Sequence, residues 1–311
     1  LHRKWNDFIA FTPVLRRYVI RLFFILIVAY SLHVPFFSLK QMLALQDEGR
    51  WMTFFQADIL HIISLTLLLI VSIAFAVRNE KLLIWLTSLL VFVIVFLAPV
   101  IRGMDHTQLP VWFRPYLTTQ FKSQFPFFPW AAFLMSGTLL GFWFLNIKER
   151  NEEYIWMPRL ALIALIGIIL SLLIEISPLS IYPDHNFWNA SPEFFFVRLG
   201  IVVLLFVYLW WFEQRLTVSA RSPVVLFGQE SFLIYVIHLL VVYGYTFEWS
   251  YIRMFGHTLH YGECIGLTIG LVLAMYIMAF IWHKLKQMNM KLAGIVQVLV
   301  LSSIVLYFIL K

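Results

Sequence analysis

Residues 227–245 read FGQESFLIYVIHLLVVYGY, a run long and apolar enough to cross a bilayer that nonetheless carries Gln229, Glu230, Ser231, Tyr235 and His238. At helical spacing Ser231, Tyr235 and His238 fall at i, i+4 and i+7, which puts a hydroxyl, a phenol and an imidazole on one face. A titratable group in such a helix faces a cavity or a partner rather than hydrocarbon. Two readings are open for His238: part of a functional site, or a hydrogen bond that only ties helices together.

The rest of the chain is of the same kind. Of 311 residues 62% are hydrophobic and 13% charged, where a soluble domain is apolar over about half its length. The composition predicts an all-α polytopic membrane protein, one integral domain over 1–311, and leaves no stretch polar enough for a separate soluble domain. The single cysteine, Cys264, excludes an internal disulfide and a cysteine-built metal cage. The net charge of +7 is scattered over short loops instead of forming a stripe, which argues for membrane topology and against nucleic acid. The chain begins at Leu1 with no signal-peptide pattern, and reads as one whose first helices precede it.

About nine spans are expected, over 18–34, 57–76, 82–100, 130–145, 160–176, 194–212, 223–245, 263–282 and 293–310. The longest connection, 101–128, is rich in proline and aromatics rather than Gly and Ser, which predicts a packed segment. Gly137 and Gly141 have the spacing that lets two helices approach closely. Fifteen of the 23 lysines and arginines lie on the side of the first residues and eight on the other, so the first side is expected in the cytoplasm, with the chain in the inner membrane.

That topology puts nine of twelve prolines outside, and His33, His61, His106, His185, His238, His257 and His260 in outer loops or spans, so chemistry is expected in the outer half. Histidine can take and return a proton near neutral pH. No His-Glu-x-x-His or similar ligand spacing is present, and no metal is expected. Asp58 and His61, at i and i+3, form the sharpest pair: the carboxylate either fixes the imidazole's tautomer or merely caps the helix. Asp105-His106 and Asp184-His185 are adjacent pairs with weaker spacing. Glu175 and Arg198 flank one outer loop and could pair, while Glu230 requires something cationic or hydrogen-bonding. Arg78, Lys81, Lys148, Arg150, Arg215 and Arg221 could hold a phosphorylated ligand, although positive-inside bias explains them without one.

Four stretches in order, ADILHIISLTLLL (57–69), FPFFPWAAFLMSGTLLG (125–141), VRLGIVVLLF (197–206) and FGQESFLIYVIHL (227–239), resemble motifs of the bacterial membrane proteins related to heparan-alpha-glucosaminide N-acetyltransferase, within the wider membrane acyltransferase superfamily. The likeness runs from about residue 16 to about residue 245. It implies a helical membrane enzyme that takes an acyl group, commonly acetyl, from cytoplasmic acyl-CoA to a hydroxyl or amine of a glycan or envelope acceptor outside. Family members usually begin with two further helices, the first carrying an Asp, an Arg-Gly pair and a catalytic histidine that no position here matches. Positions matching later motifs are Asp58, His61, Phe125, Pro126, Pro129, Trp130, Arg198, Glu230, Ser231, Tyr235 and His238. On this reading His61, His238 and Asp58 are the catalytic candidates, and Arg198, Tyr235, Ser231, Glu230 and Trp130 line the substrate site. Membrane lipid, acyl-CoA and the acceptor are the expected partners, with self-association left open. A transporter or flippase, or a non-catalytic scaffold, are the rival readings, and a transporter is expected to show repeat-related broken helices that the sequence does not display.

Overall fold

A computed structural model describes residues 5–177, 187–216, 219, 222–244, 250–256 and 258–311. Every regular element among them is helical. The chain divides into two compact units, Leu1–Ser31 with Trp51–Arg215, and Leu32–Arg50 with Leu216–Lys311.

The first unit holds α1 (Pro13–Leu32, whose last residue falls to the second unit), α2 (Ile59–Val77), α3 (Glu80–Gly103), α4 (Phe127–Glu149), α5 (Glu153–Ile176) and α6 (Pro192–Glu213). Short polar signals set the helix ends. Asn79 accepts from the Leu82 N–H to start α3, directly after Arg78 has closed α2 in a left-handed conformation with φ 53°. Ser191 caps α6 by accepting from the Phe194 N–H, and Pro192 follows at the first helical position, where a missing N–H costs nothing. The core is built from Ile62 and Ile70 of α2, Ile94 and Val95 of α3, Ala131 and Met135 of α4, and Phe195 of α6. By contrast α5 turns Leu162, Ile166, Ile169 and Leu173 outward, the pattern of a helix whose solvent is lipid.

The close helix approach is not where the glycine spacing puts it. A methyl group added at Gly137 or Gly141 meets nothing within 4 Å. At Gly200 it would stand 2.5 Å from Ile168 Cγ1 and 3.1 Å from the Ala164 carbonyl oxygen, so α6 packs on α5 through this glycine. Small-residue spacing names candidates for contact, and the neighbouring helix's position selects among them.

The second unit contains α7 (Pro223–Gln229), α8 (Ser231–Tyr243), α9 (Tyr261–Met288) and α10 (Met290–Leu310). Phe37 packs its ring on Tyr307 and Phe308 of α10, at centroid distances of 6.0 and 5.6 Å. The expected span over 223–245 is not one straight helix: α7 and α8 meet at Glu230 with a bend of 84°.

Among the described residues seven helices, α2 to α6 with α9 and α10, are long and apolar enough to cross a membrane, or eight spans if the bent pair counts as one. The expected count of about nine is not confirmed by these helices. The first helix stands apart because Arg16, Arg17 and Arg21 fall within it, and three guanidinium groups are expensive to bury in hydrocarbon. A multi-pass membrane protein follows from the lengths and hydropathy of the seven.

Candidate active site

Asp58 is the residue before the first turn of α2, with extended φ and ψ of −109° and −176°. Its Oδ1 accepts the backbone N–H groups of Leu60 at 2.9 Å and His61 at 3.2 Å, filling two of the donors that open a helix. The same oxygen stands 2.8 Å from His61 Nδ1. Capping and pairing, alternatives in sequence, are thus one arrangement. The Asp58 N–H also points at Nδ1, from 3.3 Å, which would make that nitrogen an acceptor. The shorter contact decides between them, because two lone pairs do not approach to 2.8 Å without a proton between them. With an ionised carboxylate that proton belongs to Nδ1, which leaves the basic lone pair of the neutral ring on Nε2.

His61 is wholly buried. The Tyr30 ring meets it edge-on at a centroid distance of 4.5 Å, and the Tyr116 ring stands at 6.2 Å. The two phenol oxygens are 2.6 Å apart, so one hydroxyl donates to the other and the second keeps its own proton to give. Burial, and then the bond to Tyr30, push the Tyr116 phenol above its usual range and keep it protonated. Neither tyrosine was a sequence candidate. Residues 30, 61 and 116 share no spacing, and only the expectation that 101–128 is packed bears on them.

That expectation holds. Ser123 Oγ accepts the Ala57 N–H at 2.8 Å, the Phe125 N–H reaches the Ala57 carbonyl at 3.2 Å, and Lys122 Nζ donates to Thr53 Oγ1 at 2.9 Å. These bonds clamp the connector to the residues that lead into α2, beside Asp58. Within it Arg114 holds the Leu109 and Thr107 carbonyls, at 2.5 and 2.6 Å. Asp105 and His106 point apart: the exposed carboxylate accepts from the N–H and hydroxyl of Thr107, and the imidazole is buried beside Phe121.

Two cavities adjoin these elements. One, of about 660 Å³, is lined by Tyr30, Phe55, Trp112, Tyr116 and Phe127 among others. The other, of about 980 Å³, is a groove along α4, α5 and α6, with Trp130 and Arg198 in its wall. His61 lines neither; its neighbours do, Tyr30 and Tyr116 in the first case and Ile62 and Ile63 in the second. The Arg198 guanidinium lies over the rings of Phe194, at 3.9 Å, and Trp130, at 5.0 Å. Glu175 is exposed and forms no ion pair with it.

In the second unit, Glu230 has the cationic company that its position required. Its buried Oε1 is 2.5 Å from Lys286 Nζ and 3.0 Å from His283 Nδ1. His283 and Lys286 stand at i, i+3 on α9, a spacing that could have drawn attention to them in the sequence. Ser231, the first residue of α8, is exposed. Tyr235 and His238 are half-buried and in ring contact at 5.4 Å, while His238 Nδ1 lies 3.0 Å from the Ile234 carbonyl, where it donates to its own helix. For that nitrogen the structural reading is the better one. His260 sits in a capping box with Glu263 at the start of α9. Asp184, His185, Arg221 and His257 lie outside the described residues.

No family model, no curated protein and no solved structure matches the chain.

What the first unit can do chemically therefore rests on its own geometry. An imidazole whose Nδ1–H is held by a carboxylate is a stronger proton acceptor at Nε2 than a free one, because the imidazolium it becomes is stabilised where it forms. A phenol pair in ring contact adds a hydroxyl donor. Among the basic residues considered for a phosphorylated ligand, Arg78, Lys148 and Arg215 each lie over an aromatic ring one turn away, on Phe75, Phe144 and Trp211. That is the posture of a charged side chain at a membrane boundary.

Proposed function

We propose that the protein is an acyltransferase of the inner membrane that moves an acyl group, acetyl in the simplest case, from acyl-CoA to a hydroxyl or amine of a glycan or envelope acceptor. The observation that carries this reading is the Asp58–His61 pair, a carboxylate and an imidazole 2.8 Å apart and both buried. His61 Nε2 takes the acceptor's proton as its oxygen or nitrogen attacks the thioester carbonyl. The imidazolium then returns the proton to the leaving sulfur as the carbon–sulfur bond breaks. Asp58 holds the ring and balances its charge, and the spare proton of the Tyr30–Tyr116 pair is the donor for the oxyanion. The four ordered motif stretches agree with this chemistry. His238, with one ring nitrogen spent on its own helix, is the weaker candidate for the base.

The test uses the full chain in vesicles with labelled acetyl-CoA and a panel of glycan acceptors, following both thiol release and labelled product. His61→Ala and Asp58→Asn should each lower turnover by at least about a hundred-fold, the usual share of a general base, with membrane insertion unchanged. Full activity in His61→Ala would remove the residue from the reaction.

A second reading has one observation in its favour. The 84° break at Glu230 is the discontinuous helix that transporters place at their binding sites, and it corrects the continuous span read from the sequence. Movement of an amphiphile across the vesicles with no acylated product would favour it.

A further inference from the structure

The 980 Å³ groove of the first unit has an apolar wall with one charged residue in it. Arg198 lies six residues into α6, and Trp130 sits three residues into α4. From there the groove runs along α4 past Ser136 and Gly137 to Trp143, with Trp156 of α5 also in its wall. Trp130 and Trp143 are thirteen residues apart, so the groove is roughly 20 Å long at about 1.5 Å per residue. Gly137 contributes depth, since nothing lies within 4 Å of the place its side chain would occupy. The guanidinium is stacked on Trp130 and Phe194, and no carboxylate among the described residues pairs with it.

A cation inside a membrane-spanning helix is costly, and such residues normally pair with a counter-charge. Here two rings flank the group, and its N–H donors are left to an anion from outside the chain. A slot about 20 Å long and apolar beyond that point suits a hydrocarbon chain. We propose that the groove is a binding site for an anionic phospholipid, its phosphate on Arg198 and one acyl chain lying along α4 past Gly137 toward Trp143. Charge complementarity selects this occupant over a zwitterionic lipid, whose own ammonium already balances its phosphate. The inference does not rest on acyl transfer, and its test does not read that activity.

Native mass spectrometry of the detergent-solubilised full chain, titrated with phosphatidylglycerol, with phosphatidylcholine of the same chains and with oleate, tests the assignment. Phosphatidylglycerol should be retained at least about ten-fold better than phosphatidylcholine, the scale of one charge-assisted contact. Arg198→Gln should remove that preference and Arg198→Lys should keep part of it. Gly137→Leu, which leaves the guanidinium in place, should weaken phosphatidylglycerol retention by filling the slot, so the idea stays testable if Arg198→Gln does not fold. Equal retention of the two phospholipids, a preference that survives Arg198→Gln, or displacement by oleate at equal concentration would each overturn it, the last by pointing to a carboxylate amphiphile.

Discussion

At Asp58 a carboxylate oxygen stands 2.8 Å from an imidazole nitrogen, and at Glu230 the corresponding distance is 3.0 Å. The two pairs differ in everything around that contact. Glu230 is also met by Lys286, so an ammonium already answers its charge, and its histidine is 28% exposed. Asp58 instead meets the backbone N–H groups that open α2, and its histidine is wholly buried among tyrosine rings. The first arrangement ties the break between α7 and α8 to α9. The second holds one buried imidazole with the same carboxylate that opens α2, the arrangement a proton-transfer role needs.

The largest effect should separate the pairs by activity. His61→Ala is expected to cost at least about a hundred-fold in acyl transfer, and His283→Ala to leave turnover close to wild type. Comparable losses in both variants would break the distinction. The next effect should separate them by stability: Glu230→Gln leaves Lys286 beside a neutral amide and should cost about 2–3 kcal/mol, a buried ion pair's penalty reduced for the partly exposed lysine, visible as a lower thermal midpoint. If the pair is structural, Glu230→Gln with Lys286→Gln should recover part of that loss. A smaller change tests the rings beside His61. Tyr116→Phe keeps the ring and removes the bond to Tyr30, so stability should fall by about 1 kcal/mol while acyl transfer drops further than unfolding explains.

The smallest effect concerns a third carboxylate, Asp105, which adjoins a histidine in sequence and does not pair with it. Hydrogen bonds from the Thr107 N–H and hydroxyl hold its carboxyl below the usual aspartate range. A lowered value in the folded chain means that the contribution is present above the ordinary aspartate value of about 4 and is lost as pH falls through the depressed one. Exchange of the Thr107 amide hydrogen should therefore stay slow to a lower pH than in Thr107→Ala, where opening of the turn should move toward that ordinary value.

Asp58 and His61 were legible because their spacing lies within one helical turn, where geometry is nearly independent of the rest of the chain. Glu230 was legible as a residue that needs a partner, since a carboxylate in an apolar run cannot stay bare, but His283 and Lys286 lie more than fifty residues on. Tyr30 and Tyr116 were not legible at all, because their meeting depends on how the 101–128 connector folds back. Gly137 and Gly141 misdirected for a related reason: a small residue permits close packing without requiring it, and the tight contact formed at Gly200.

What the sequence determined alone is the solvent. Long apolar runs, few charges within them and backbone groups that must bond within their own segment leave membrane-spanning helices as the answer, without reference to any contact. The tertiary structure decided which polar groups meet, where the run over 223–245 bends, and that a cavity rather than a helix lies beside Gly137. Local bonds and hydropathy are written residue by residue, whereas partners far apart in the chain are chosen only when helices pack.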